Sequence, residues 1–144
     1  MNTKRLRFVL SVVGLSALAA TVFAAESGTT NKQPAEASAK NWLSLVDAGK
    51  YDESWDASGS FFRSKITKAD WKKSLTAVRP PLGSMTSRKM EASQAIKNAP
   101  GAPAGEYVVI QYKTVFQNKK DAVETVTEML DKDAKWRMAG YFIR

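Results

Sequence analysis

EYVVIQYKTVF, residues 106–116, is the clearest strand pattern in the chain, and it decides the fold. Valine, isoleucine, tyrosine and phenylalanine recur through it without proline or glycine. Successive side chains of a strand point to opposite faces, so Val108, Ile110, Tyr112 and Phe116 share one face. We expect this segment to be a central strand of an antiparallel sheet.

Further strand patterns lie on both sides of this segment in the sequence. One runs from residue 85 to about 93, and two more follow over residues 122–130 and 136–143. The last two are predicted to form a hairpin with a tight turn at Asp133-Ala134. Ala134 is an unfavourable residue there, because the turn needs a positive φ, which costs a non-glycine residue about 1 kcal/mol.

The register of this hairpin predicts which face of it is buried. A two-residue loop pairs Val126 with Tyr141 and Glu128 with Ala139 on one face, and Thr125 with Phe142 and Met129 with Met138 on the other. The second face is the more apolar, so we expect it to face the core.

Helices are predicted before the sheet. Apolar residues at helical spacing indicate three, over about residues 39–48, 51–58 and 67–79. Pro80-Pro81 is expected to end the third helix, because proline donates no hydrogen bond. The fold class is therefore predicted to be α+β, with about three N-terminal helices packed on a curved antiparallel sheet of about four strands.

The N-terminus has the pattern of a secretory signal peptide. Lys4, Arg5 and Arg7 precede an apolar run over residues 8–23, which is short for a membrane span. Small residues at the recognition positions predict cleavage after Ala24. We expect a periplasmic or secreted protein with no membrane span after cleavage; an uncleaved anchor is the alternative.

The remaining chain is predicted to hold one domain. Residues 25–38 are polar with little to bury, and are expected to form a mobile leader. Residues 39–144 form the predicted single α+β domain. Loss of the three signal cations lowers the formal net charge from +8 to +5.

Neither histidine nor cysteine occurs in the chain. This excludes catalysis by histidine or a thiolate, and zinc sites built from these residues. The eight glycines are too scattered for a phosphate-binding loop. We therefore expect no cofactor, no metal and no catalytic residue of the common kinds, and an enzyme would have to use Asp, Glu, Lys or Tyr.

Two sets of residues are candidates for ligand binding. The helices are rich in aromatic side chains, which either line a pocket against the sheet or pack as ordinary core. Arg79 and Arg88 flank the turn after the third helix and either grip an anion together or, for Arg79, complement the helix C-terminus. The candidate pocket lining consists of Trp42, Tyr51, Trp55, Phe61, Tyr112 and Phe142.

Other charged residues are expected to be solvated. Glu124 and Glu128 share a strand face but lie about 13 Å apart, which is too far for a catalytic carboxylate pair. We expect them on the outward face, and Asp47 on an exposed helix surface. The basic stretch 63–73 surrounds Trp71 and either meets an anionic glycan or lipid or is a solvated helix face.

The order of these elements resembles the cone-shaped fold of nuclear transport factor 2 relatives. A longer series of residues resembles a bacterial family, domain of unknown function 4019, over about residues 39–144. The series is Trp42-Leu43, Asp47-Ala48-Gly49-Lys50-Tyr51, Ser54-Trp55, Asp70-Trp71, Arg79, Pro81-Leu82-Gly83, Ser87-Arg88, Pro100-Gly101, Gly105-Glu106-Tyr107-Val108-Val109, Trp136-Arg137 and Gly140-Tyr141. The family carries no assigned activity. Relatives with the cone fold include isomerases, dehydratases and non-enzymatic binding modules, so the resemblance implies a fold rather than a reaction.

The leading functional hypothesis is an exported, non-catalytic binding or protein-interaction module. Its partner is expected to be a small apolar ligand or an envelope protein rather than nucleic acid. One alternative is a small acid–base enzyme of the isomerase or dehydratase type, with a buried Asp or Glu in the cone. Another is an envelope factor that binds anionic glycan or lipid through residues 63–73. A homodimer through Tyr107, Val109 and Val115 is a further hypothesis for the open sheet face.

Overall fold

Four helices precede four strands in the computed structural model, which describes residues 30–144. The helices are α1 (Gln33–Asp47), α2 (Tyr51–Asp56), α3 (Ser60–Lys65) and α4 (Lys68–Leu82). The strands are β1 (Met85–Lys97), β2 (Glu106–Phe116), β3 (Lys119–Leu130) and β4 (Trp136–Ile143). The predicted signal peptide, residues 1–24, and the first part of the predicted leader, residues 25–29, lie outside the described residues.

The strands form one antiparallel sheet in the order β1-β2-β3-β4. This confirms the α+β class and the four-stranded sheet. β2 has the predicted bounds and is paired on both sides. Its predicted inner face is buried, and Val108 and Ile110 join Leu43 and Trp71 of the helices in one hydrophobic core.

The first helix begins earlier than the sequence predicts. α1 starts at Gln33, so the predicted leader is helical from there to Ser38. Pro34 occupies the first turn, where a missing N–H is tolerated, and Ala35 and Ala39 are fully buried. Small side chains let the helix approach the core closely, and that contact stabilises a segment whose composition alone is that of a linker.

Within residues 30–144 the helices number four rather than the predicted three, because α3 is a separate helix. Phe62 is buried and meets the Trp71 ring edge to face, with centroids 5.0 Å apart. The Asp131 carboxylate caps this helix, accepting from the Ser60 backbone N–H at 3.0 Å and the Ser60 hydroxyl at 2.8 Å. Since Asp131 lies in the β3–β4 turn, no local capping pattern in the sequence announces α3.

The last helix continues through Pro80-Pro81 to Leu82, contrary to the prediction that it ends near Arg79. The β2–β3 turn stabilises this last turn of α4. The Asn118 backbone N–H donates to the Leu82 carbonyl at 2.9 Å, and the Asn118 side-chain amide donates to the Pro81 carbonyl at 3.1 Å. These bonds satisfy carbonyls that a helix end leaves without partners.

The β3–β4 hairpin confirms half of the predicted register. Val126 pairs with Tyr141 and Thr125 with Phe142, but the register shifts after Thr127, so Glu128 pairs with Met138 rather than Ala139. Ala139 is the extra residue of a β-bulge. The predicted buried face is also wrong, because Tyr141, Val126 and Glu128 are buried whereas Phe142 is exposed.

Ala134 adopts a positive φ of 61°, as the turn chemistry predicts. We expect Ala134→Gly to raise the free energy of unfolding by about 0.5 to 1 kcal/mol, because glycine removes the strain of the left-handed conformation. Thermal unfolding followed by circular dichroism measures this. Ala57→Gly is the matched control, since exposed Ala57 has a right-handed conformation and should lose stability on the same change. A loss of stability in both variants would contradict the prediction.

Candidate functional site

Four charged side chains from four elements meet in a buried network on the inner face of the sheet. They are Asp47 at the end of α1, Arg79 in α4, Arg88 in β1 and Glu124 in β3. Arg79 donates to Asp47 at 2.6 Å and to Glu124 at 3.3 Å. Arg88 binds both Asp47 oxygens, at 2.7 and 2.9 Å, and donates to Glu124 at 2.8 Å.

Uncharged residues complete the network. The Thr114 hydroxyl donates to Glu124 at 2.6 Å, and the Tyr141 hydroxyl also donates to Glu124. The Arg79 guanidinium lies 4.7 Å from the centroid of the Phe116 ring. Each charge of the network therefore has both an opposite charge and directional hydrogen bonds, which is the condition for burying charges at acceptable cost.

The network holds Asp47, Arg79 and Arg88 in their charged forms. Burial alone would raise the pKa of Asp47, but the hydrogen bond and charge of Arg88, together with Arg79, lower it below its usual range. Burial disfavours the charged form of Arg88, and its bonds to Asp47 and Glu124 outweigh that and raise its pKa. Burial, reinforced by the charge of Glu124, raises the pKa of Tyr141 well above its ordinary value. The network is thus a fixed, charge-balanced unit.

Arg79 and Arg88 were the predicted anion-binding pair. The structure brings both guanidiniums together, and the anions that they contact are Asp47 and Glu124 of the same chain. Sequence reasoning missed these two acids and placed them in solvent. An anion from outside would have to displace one of them.

Glu128 lies on β3 four residues after Glu124, but it is not part of the network. Its side chain is fully buried, and neither carboxylate oxygen has a hydrogen-bond partner among residues 30–144. Burial raises its pKa to about 7. The Ser38 hydroxyl is close enough to oppose this rise, but it donates its proton to the Trp136 carbonyl at 2.9 Å. Glu128 is therefore a buried acid without the partners that Glu124 has.

Other polar groups of the inner face lie near Glu128. Burial raises the pKa of Tyr112 to about 12, and the negative charges of Glu128 and Glu36 add to this rise. The Ser93 hydroxyl on β1 is also buried without a hydrogen-bond partner in residues 30–144. Buried polar groups without partners are rare in proteins, and two on one sheet face mark it as a site.

A groove with a volume of about 490 Å³ opens beside this face, between the start of α1 and the ends of the strands. Leu130 in its wall lies two residues beyond Glu128 on the same face of β3, a distance of about 7 Å. Residues of both polarities form the wall, and they are Thr30, Asn31, Pro34, Lys97, Glu106, Leu130 and Trp136. The groove thus lies next to Glu128 along β3, although Glu128 itself is not part of its wall.

The six candidate pocket residues are divided between different places. Trp42 lies in the core, its ring against those of Trp71 and Tyr141, and its indole N–H donates to the Ser54 carbonyl at 2.9 Å. Tyr51 and Trp55 pack against this core, and Phe61 is half-buried beneath Lys65. Phe142 lies on the opposite face of the sheet and is 37% exposed. Tyr112 lies opposite Glu124 on the inner face, and the charge of Glu128 contributes to its raised pKa.

The residues of the other hypotheses also have defined positions. Lys68 and Lys72 of the basic stretch pair with Asp56 and Asp52, and Trp71 is buried. In the proposed dimer patch, Tyr107 is covered and its hydroxyl donates to the Pro103 carbonyl, whereas Val109 and Val115 are half-buried.

Within residues 30–144, no three acids lie together as metal ligands would. None of the helices there combines the length and the apolar character that a membrane crossing requires.

One pattern in the sequence does indicate that Glu124 and Glu128 face inward. Ala122, Val126 and Leu130 alternate with them on β3, so the acids sit in an apolar, inward row. The comparison of hairpin faces favoured the other row because it assigned Met138 to that side, and the bulge moves Met138 inward.

Comparisons with known proteins support one assignment. The chain matches no curated protein and no solved structure. The family model described as "Protein of unknown function (DUF4019)" matches residues 38–141, from the middle of α1 to Tyr141 in β4. This range covers most of the chain and includes the charge network and Glu128, so the chain belongs to the DUF4019 family of unknown function.

Proposed function

We propose that this protein is an exported, non-catalytic module that binds a small organic ligand on the inner face of its sheet, with Glu128 as the main polar contact. The observation that carries the proposal is the fully buried Glu128 carboxyl without a hydrogen-bond partner in residues 30–144. A ligand that donates to this carboxylate supplies the missing partner. The groove at the adjoining end of β3 and β4 offers an apolar wall at Leu130 and Trp136.

The energetic contrast within β3 supports a ligand rather than a structural role. A buried charge without a partner destabilises a fold, and the same sheet shows how that is avoided, since Glu124 has two guanidiniums and two hydroxyls around it. Glu128 has none of these, although replacement by an apolar residue would suit its neighbours Val108 and Met138. A binding role explains why an acid stands there.

The N-terminal sequence supports the export part of the proposal. A basic start, an apolar run and small residues before the predicted cleavage after Ala24 are typical of secreted proteins. The helices on one side of a four-stranded antiparallel sheet also fit the proposed relationship to the nuclear transport factor 2 cone, in which ligands bind between helices and sheet.

A second candidate function is acid–base catalysis. Burial raises the pKa of Glu128 to about 7, which suits a general base or acid near neutral pH. Tyr112, whose pKa the charge of Glu128 helps to raise, is the second titratable group on this face. This version needs a ligand that changes chemically in the site. Incubation of the bound ligand with the protein separates the two functions, because only an enzyme converts it.

Native mass spectrometry of the mature protein, purified without denaturation from its own host, tests the binding function. We expect a reproducible small-molecule mass on the folded wild-type ion and its loss in Glu128→Gln. Glu91→Gln is the matched control and should keep the ligand, because Glu91 is exposed on β1. A bare wild-type ion, or an equal ligand mass on Glu128→Gln, would overturn the proposal, and a bare ion would direct attention to protein partners.

A further inference from the structure

We infer that the ligand of this site carries a cationic amine, whose ammonium group pairs with Glu128 while its apolar part lies in the groove. This inference rests on the proposed function and adds the chemical class of the ligand.

The neighbours of Glu128 carry the inference. On β2 the residue opposite is the apolar Val108, and on α1 the nearby polar group is the Ser38 hydroxyl, which donates to the Trp136 carbonyl. On β3 the next charge is Glu124, four residues away. On β4 the residue opposite is the apolar Met138. Among these described neighbours none is a cation, so a cation is the species that would compensate a charged Glu128.

Three cations near this face already have hydrogen-bond partners in the chain. Arg79 and Arg88 are held by Asp47 and Glu124. Lys32 donates to the Ser93 carbonyl at 2.6 Å. Lys97 is exposed and forms part of the groove wall. An anionic ligand would add to the negative charge at Glu128, and a neutral one would leave it uncompensated.

The groove sets the shape of the apolar part. Leu130 and Trp136 pair across β3 and β4 at the end of the sheet, and both line the groove. Glu128 lies about 7 Å inward from Leu130, which a chain of about five or six carbons spans. Lys97 and Glu106, paired across β1 and β2, flank the same end. A short alkyl or aryl amine fits this arrangement.

Nuclear magnetic resonance titration with three matched probes, hexylamine, 1-hexanol and hexanoate, tests the ligand class. The Trp136 indole N–H, at the groove, reports binding. We expect hexylamine to bind wild type at least tenfold more tightly than 1-hexanol at about pH 8, with the weakest binding by hexanoate. Below about pH 7 the amine affinity should fall, because Glu128 becomes protonated.

Three variants test whether the preference for hexylamine depends on the charge of Glu128. Glu128→Gln should bind hexylamine no more tightly than 1-hexanol, whereas Glu128→Asp, which keeps the charge, should retain the preference. Glu91→Gln, at an exposed acid outside the groove, is the control and should also retain it. A preference for the amine that survives in Glu128→Gln would overturn the inference.

The remaining outcomes separate the two proposals. If 1-hexanol or hexanoate binds wild type as tightly as hexylamine, the amine inference fails and the binding function stands. If none of the three probes binds, the amine inference also fails, and a bare wild-type ion in native mass spectrometry then overturns the binding function as well.

Discussion

Arg79→Met is expected to lower the free energy of unfolding by about 3 to 5 kcal/mol, the range typical of a broken buried ion pair. Methionine fills the space of the Arg79 side chain beside Phe116 but removes its bonds to Asp47, Glu124 and Tyr141. One guanidinium then faces two carboxylates in a site where Glu124 has no contact with water. The charge imbalance, rather than a cavity, causes the loss.

Urea unfolding at neutral pH measures this effect, and two further variants test its cause. Lys72→Met, on the same helix, breaks the exposed pair with Asp52 and should cost well under 1 kcal/mol. Adding Glu124→Gln to Arg79→Met restores the charge balance, so the double variant should lose much less than the sum of its single changes. Equal losses in Arg79→Met and Lys72→Met would show that the network does not stabilise the fold.

Glu128→Gln is expected to stabilise the ligand-free protein by about 3 kcal/mol at about pH 8 and to leave its stability almost unchanged at about pH 5. Burial raises the pKa of Glu128 from 4.5 to about 7 in the folded state. The folded protein therefore keeps a proton that the unfolded chain releases above about pH 4.5. This stabilisation is complete below that pH and is lost as the pH rises through about 7, by about 1.4 kcal/mol per pH unit.

The comparison of wild type with Glu128→Gln across the pH range isolates this single group, because the other acids titrate alike in both proteins. Chemical unfolding at intervals between about pH 5 and pH 8 gives the difference curve. We expect the stability of the wild type to fall relative to the variant between about pH 5 and pH 7, and the difference to level off above about pH 7. A constant difference would show that Glu128 finds a hydrogen-bond partner in solution, and this would remove the main support for the binding site.

The strands were predictable because their signal is local. β2 alternates between more and less buried residues from Val108 to Phe116, and both its bounds and those of β4 follow from composition and turn residues. α3 was not predictable in this way, since its cap comes from Asp131 in a distant turn and its anchor Phe62 depends on Trp71. The start of α1 likewise depends on contacts of Ala35 with the core rather than on helix propensity.

The site was harder to predict because its residues are brought together by contacts between distant parts of the chain. The sequence singled out Arg79 and Arg88, but their partners lie 32 to 45 residues away along the chain. No spacing rule connects such positions before the fold is known. The burial of Glu128 was missed because the hairpin pattern assumed a regular ladder, and one additional residue in β4 changes which side chains face the helices.

That additional residue, Ala139, has a consequence for self-association. An open sheet offers two edges to which strands of other molecules add, and this is how ordered aggregates grow. At the β4 edge the strand is kinked, and the Met138 carbonyl already accepts the Gly59 N–H at 2.8 Å. At the other edge, β1 is interrupted by register shifts between Met85 and Ser87 and between Met90 and Ala92. Neither edge presents a continuous ladder, so the irregularity that turns Met138 inward also keeps folded molecules from joining into fibrils.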